Sequence, residues 1–221
     1  MLRLFLISLG MLFVLGCGRT DSSEASDLIS RADEGLSGVR YICVGDSTRA
    51  NSELFYELQS GLSHSGVHSV LMARYGQSLS DFNHANAYPT TGDVIRNIPN
   101  DGENTIVDIS LGINDRYHDS STIKRDLIQA IQKIREYRPE TSFVLTTPNR
   151  LYYDDANTRK LRNVYHDVAN EMYLGLNAVV DSLMPSADST PSSWYRGDGV
   201  HLSSEGQHQV AQFILRNMRG Y

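Results

Sequence analysis

The chain has 221 residues, 40% of them hydrophobic and 21% charged, and carries a formal net charge of −6. That composition is ordinary for a folded domain with a sizeable core and excludes a chain disordered along most of its length. No dense Lys/Arg cluster stands ready to neutralise phosphates, which argues against a nucleic-acid partner, and no internal repeat points to a solenoid.

Arg3 gives the start of the chain one positive charge, and residues 4–15 then run apolar. This run is short for a membrane span and has the length of a signal-peptide core. It closes on Val14-Leu15-Gly16-Cys17, which resembles the lipobox of bacterial lipoproteins. The resemblance implies cleavage before Cys17, lipid on that cysteine and a membrane as partner; a plain secretory signal or a signal anchor is the other reading. Gly18 stands where inner-membrane lipoproteins of the enterobacterial type carry aspartate. The expected location is therefore the cell envelope, at the outer membrane facing the periplasm or the cell surface. The expected organisation is a signal peptide over 1–17, a Ser/Asp/Glu/Gly-rich tether over 18–37 with a short helix at 27–36, and one domain over 38–221. The second cysteine, Cys43, sits between Ile42 and Val44 and reads as a small buried hydrophobe.

From residue 39 onward, strand-like and helix-like segments alternate. An apolar run at 39–44 ends at Gly45 and reads as a buried strand; residues 52–62 carry Leu54, Phe55, Leu58 and Leu62 at helical spacing. Strands follow at 67–73 and, between Gly102 and Gly112, at 105–111. Ile123, Leu127, Ile128, Ile131 and Ile134 form a helical stripe closed by Arg138-Pro139. A fourth strand is expected at 142–146, a long amphipathic helix at 155–174, a fifth strand at 177–180 and a terminal helix at 205–218. This alternation implies an α/β fold with a parallel sheet covered by helices on both faces. Such sheets bind ligands at the carboxyl ends of their strands, where Ser47, Gly76 and residues 112–114 all fall.

Those residues carry chemistry. A serine hydroxyl needs a base in contact with it and donors for the developing oxyanion. Ser47 follows the first strand in Gly45-Asp46-Ser47-Thr48, and about 150 residues later Asp198-Gly199-Val200-His201 offers a base with an orienting carboxylate in one short loop. Gly76 can present an unobstructed backbone N–H, and Asn114 an amide donor. Taken singly, each also reads as ordinary turn or capping chemistry; taken together they read as a site. No two-histidine motif with a carboxylate at ligand spacing is present, and two cysteines cannot build a cysteine metal site, so no metal or cofactor is expected.

The order of Gly45-Asp46-Ser47, Gly76, Gly112-Ile113-Asn114-Asp115 and Asp198-Gly199-Val200-His201 resembles the SGNH, or GDSL-type, hydrolase superfamily over residues 39–218. The resemblance implies a three-layer α/β/α sandwich of flavodoxin-like type around a parallel sheet of about five strands. It makes Ser47 the nucleophile, His201 the base and Asp198 its orienter, with Ser47 N–H, Gly76 N–H and the Asn114 side chain as oxyanion hole. Two departures stand out: Thr48 occupies the leucine position of the signature, and Arg74-Tyr75-Gly76-Gln77-Ser78-Leu79 keeps only the central glycine of its block. The expected activity is hydrolysis of carboxylic esters through an acyl-serine intermediate, with short acyl groups such as acetyl on a glycan as substrate. The alternatives are a lipase or lysophospholipase acting on membrane lipid, and a catalytically weak glycan-binding lipoprotein. Arg49 and Arg74 read either as contributors to an anion- or sugar-binding pocket or as paired surface cations. Tyr152, Tyr153, Trp194 and Tyr195 read either as substrate-stacking aromatics or as loop residues covering core.

Overall fold

The computed structural model describes residues 38–50, 52–84, 88–100 and 104–218. The signal peptide, Cys17, the tether and the helix expected over 27–36 lie outside the described residues. Five parallel strands form one sheet: β1 (Arg40–Gly45), β2 (His68–Ala73), β3 (Thr105–Ser110), β4 (Ser142–Thr146) and β5 (Gly175–Asn177), in the order β2-β1-β3-β4-β5. Around it lie α1 (Glu53–Ser63), α2 (Leu79–Asn83), α3 (Thr91–Asn97), α4 (Ser120–Tyr137), α5 (Asp155–Met172), α6 (Val179–Leu183) and α7 (Ser204–Met218), with a single 3₁₀ turn at Ser192–Trp194.

Alternation along β1 builds the three layers. Ile42 and Val44 point into a core closed by Leu79, Val94, Leu127, Ile131, Leu161 and Val168 from α2 to α5. Tyr41 and Cys43 point the other way, against Leu54 and Leu58 of α1 and Val210 and Ile214 of α7. Successive side chains of a strand face opposite sides, so an unbroken apolar run is what a strand buried on both faces requires. Cys43 is buried and free, and burial pushes its thiol up to about 12, leaving it an inert hydrophobe.

The α/β architecture and its five-stranded parallel sheet agree with the sequence reading, and the long elements agree to within two residues at most ends. The fifth strand differs. It was expected over 177–180, yet pairing covers Gly175–Asn177 and the two valines open α6 instead. Thr147 N–H still donates to Asn177 O at 3.0 Å, but Pro148 follows and has no N–H to carry the ladder on to the valines. The Thr147 hydroxyl accepts the Val180 N–H and Met184 N–H reaches Val180 O, which turns the segment helical. An apolar pair of this length reads equally well as strand or buried helical turn. The short helices α2 and α3 lack any long periodic stripe and went unread.

Strand order places the site. Between β1 and β3 the sheet's winding reverses, and the crevice at such a point is where doubly wound sheets bind ligands. Gly45 pairs with Ala73 on one side and Ser110 on the other, so the loops after all three strands leave the sheet at one level.

The final helix is docked by a glycine. A Cβ on Gly206 would meet the Trp194 carbonyl oxygen at 2.4 Å, a backbone atom that cannot swing aside. Alanine normally gains about 1 kcal/mol over glycine inside a helix, whereas overpacking costs about 1–3 kcal/mol. Gly206→Ala is therefore expected to lower stability, read as a fall in the urea midpoint at unchanged m-value.

Candidate active site

The turn after β1 is tied by its own side chains. Asp46 is fully buried, and its Oδ1 accepts both the Thr48 N–H at 2.9 Å and the Thr48 hydroxyl at 2.8 Å. Its carbonyl accepts the N–H groups of Arg49 and Ala50. Burial raises the Asp46 pKa, opposed by the two Thr48 bonds and the Arg49 charge. Thr48, at the position where the resemblance expects leucine, thus supplies a hydroxyl that closes the turn. Ser47 stands half-buried at its tip.

Opposite it lies the loop before α7. His201 Nε2 is 2.9 Å from Ser47 Oγ, and His201 Nδ1 is 2.6 Å from Asp198 Oδ2. The partners assign the tautomer: Nδ1–H donates to the carboxylate, and Nε2 accepts from the serine hydroxyl. Asp198 Oδ1 accepts the N–H groups of Val200 and His201, both at 2.9 Å, which fixes the carboxylate in the loop. Burial, the largest single influence on Asp198, pushes its pKa up; the bonds from His201 and Val200 and the His201 charge outweigh it and bring it down to about 2. Gly199, between them, has φ +64° and lies under the Tyr153 ring, so both its backbone conformation and its missing side chain are used.

The other two predicted residues come to the same edge. Gly76 has φ +72°, and its N–H meets no acceptor among the described residues. The Asn114 amide donates to the Gln77 carbonyl at 2.8 Å, coupling the loop after β3 to the loop after β2. Behind it Asp115, buried, accepts the Leu79 N–H at 2.9 Å, with its pKa raised by burial. Tyr165 of α5 donates to Leu111 O and accepts the Leu111 N–H, securing the end of β3 before Gly112 turns with φ +111°.

A cavity of about 130 Å³ opens beside Ser47 and His201, lined also by Thr48, Ala50, Tyr75 and Arg196. Gly76 and Asn114 do not line it, although Tyr75, the neighbour of Gly76, does. Neither arginine singled out in the sequence reaches it. Arg49 is 1% exposed and donates to Ser110 Oγ at 3.3 Å, whereas Arg74 pairs with Asp81 at 3.3 Å on the surface. The arginine at the mouth is Arg196, which nothing in its sequence context marks. Gln207, also on the cavity wall, accepts the Leu54 N–H and donates to Leu202 O, so it joins α1 to the histidine loop. Of the aromatics, Trp194 packs on the core beside α7, while Tyr153 stands 79% exposed.

Neither a family model nor a curated protein matches the sequence. Solved structures do. A member of the lipolytic protein G-D-S-L family from Veillonella parvula superposes with a TM-score of 0.65 at 18% identity, covering 80% of this chain and 97% of that one. A carbohydrate acetylesterase from Sinorhizobium meliloti gives 0.64 at 15% identity, over 82% and 98% of the two chains. A carbohydrate esterase family 3 protein from Talaromyces cellulolyticus gives 0.64 at 17%, over 81% and 96%. At these identities the likeness establishes the fold, a three-layer α/β/α sandwich of the SGNH-hydrolase type.

Gly45 is where the turn depends most on an absent side chain. A Cβ there would lie 2.3 Å from Arg49 Cγ, and Arg49 has no room to move because it is itself buried. Gly45→Ala is expected to cost about 1–3 kcal/mol in chemical denaturation. It should also displace Ser47 from His201, read as a change in the nitrogen chemical shift of His201 Nε2, which accepts the Ser47 hydroxyl.

Proposed function

We propose that the protein is a serine ester hydrolase of the SGNH, or GDSL-type, superfamily that cleaves short-acyl carboxylic esters, acetyl above all, on saccharides. The observation that carries this reading is the unbroken hydrogen-bond chain from Ser47 Oγ through His201 to Asp198 at the carboxyl edge of the sheet. Ser47 Oγ attacks the ester carbonyl carbon while His201 Nε2 takes its proton. The oxyanion is met by the N–H groups of Ser47 and Gly76 and by the second N–H of the Asn114 amide, whose first is held by Gln77. As the bond to the alcohol breaks, His201 returns the proton to the leaving oxygen. Water, deprotonated in turn by His201, then attacks the acyl-serine, the acid departs and Ser47 regains its proton. Asp198, anionic throughout, holds the ring and stabilises its charged form. No cofactor enters these steps.

The cavity beside Ser47 supports a short acyl group. Its volume of about 130 Å³ is small and suits acetyl or propionyl better than an extended fatty chain. The saccharide assignment leans on the carbohydrate esterases among the structures that share the fold. The Val14-Leu15-Gly16-Cys17 sequence supports a lipid anchor at Cys17 and a place in the cell envelope, with the outer membrane favoured by Gly18.

Ser47→Ala should lower kcat/KM on p-nitrophenyl acetate by about 10³-fold or more while leaving the melting temperature near that of the parent. A variant keeping a tenth of the parent activity defeats the proposal. In an acyl-length series the acetate should be the best substrate; a preference for octanoate would instead favour the lipase reading.

Asp198→Asn removes the anion that fixes the tautomer, and kcat is expected to drop about 10²–10⁴-fold. The same residue leaves a mark on acid stability. Its pKa is held at about 2 in the folded chain against ~3.9 in an unfolded one. Its contribution is thus present above about pH 4 and fades as pH falls toward 2. Urea midpoints measured between those values should fall less steeply for Asp198→Asn than for the parent; parallel curves would show that the carboxylate is not so held.

A further inference from the structure

A second concavity adjoins the catalytic loop. It has a volume of about 680 Å³, inside the ~300–1,000 Å³ range of small-molecule sites, with Tyr152 and Tyr153 on one wall and residues 187–192 on the other. We propose that this groove is a saccharide subsite, in which the sugar bearing the scissile ester, or its neighbour in the chain, stacks on Tyr153 and hydrogen-bonds to Asp188 and Ser192. The proposal rests on the ester-hydrolase reading above and extends it to the alcohol side of the substrate.

Three observations carry it. Tyr153 leaves 79% of its surface in solvent, yet it is not a loose side chain. Its ring meets Tyr152 edge-on at 4.9 Å and 89°, and Tyr152 in turn packs on Tyr195 at 5.1 Å. A large aromatic face held rigid and left bare is what stacking against the C–H face of a pyranose needs, and phenolic, carboxylate and hydroxyl groups around it suit sugar hydroxyls.

The walls are also preset. Arg150, whose side chain is 3% exposed, pairs with Asp155 behind the tyrosines and donates to the carbonyls of Met184 and Pro185 at the root of the opposite wall, the latter at 3.2 Å. That wall is closed on itself: Ser186 and Ser189 exchange hydroxyl bonds at 2.8 Å, and Thr190 Oγ1 donates to Ser186 O at 2.7 Å. A buried cation joining both sides keeps the groove at fixed width, so a ligand loses little to ordering it.

The third observation is position. Tyr152 N–H donates to Gly199 O at 2.9 Å, and the Tyr153 ring fills the space where a Gly199 side chain would stand, 2.6 Å from that Cβ position. Gly199 lies between Asp198 and His201. The groove is therefore two residues from His201, on the loop that also borders the 130 Å³ cavity beside Ser47. An acetylated oligosaccharide has its acyl group suited to one and its sugar to the other.

Binding is best read without turnover. In the Ser47→Ala protein, calorimetry with partially acetylated xylo-, cello- and manno-oligosaccharides should show binding of at least one. Adding Tyr153→Ala should weaken that binding by about tenfold or more, and Tyr153→Trp should restore it to within about threefold. Equal affinities with and without the Tyr153 ring, or no binding by any of the oligosaccharides, overturn the subsite. Neither result touches the hydrolase reading, which stands or falls separately on whether Ser47→Ala loses p-nitrophenyl acetate hydrolysis.

Discussion

A cation buried under Ser47 sets the terms for the rest of the structure. Arg49 lies 1% exposed between the turn that carries Ser47 and the sheet below it, and Gly45 has no side chain because Arg49 occupies that space. A charge so placed is costly unless matched, and its attraction acts on two fully buried carboxyls, Asp46 of the turn and Asp108 of β3, in each of which burial weighs more. From Asp108 a polar seam crosses the sheet. Its carboxylate accepts from the Tyr41 hydroxyl on β1 and, at 2.7 Å, from Thr146 on β4, and Thr146 accepts from Asn177 on β5 at 3.0 Å. Four strands are thereby tied by directional bonds, where apolar packing alone would tolerate slippage, along a diagonal that rises from Tyr41 through Asp108 to Thr146, toward the edge where the Ser47 turn departs.

His201 arrives differently. Ser47 and His201 are 154 residues apart in the chain, and their contact is as reliable as the docking of the last loop and helix. The docking uses bonds that span both partners. Gln207 reaches α1 and Leu202 at once, Ser203 Oγ donates to Ser193 O while accepting from Gly206 N–H, and the Arg196 N–H returns to His201 O. Few of these groups are apolar, so the loop is oriented by hydrogen bonds on a helix that is itself held by Val210, Ala211 and Ile214. Burial supplies the stability, and the polar bonds supply the angle.

What was legible in the sequence follows from the same division. Strands buried on both faces and helices with long apolar stripes announce themselves by period, and β1, β3, α4 and α5 were readable on that ground. Ser47, Asp198 and His201, which the fold joins by hydrogen bonds, were legible as a group because a serine at a strand end and an Asp-x-x-His loop form a pattern even before they are brought together. Arg49 was not. Charged residues are almost never fully buried, so nothing local distinguishes it from Arg74, which does lie on the surface. Tyr165 hid for another reason: its hydroxyl serves the Leu111 backbone from 54 residues away, a relation only the fold creates. The two valines after Asn177 misled because their fate depends on where β4 stops.

The two sides of the cleft are built with unequal freedom. On the Ser47 side the turn is locked between Asp46, Thr48 and Arg49, all buried, and Thr48 also lines the adjoining 130 Å³ cavity together with residues of the His201 loop. On the His201 side the walls are surface loops, and residues 186–192 bond chiefly to one another, with Arg150 holding the carbonyls of Met184 and Pro185 just before them. Side chains there can change without touching the seam, because loops on a rigid scaffold vary at little cost to the core. The turn that carries Ser47 is thus fixed by packing, whereas the groove beside Tyr153 is one that the fold leaves open to variation.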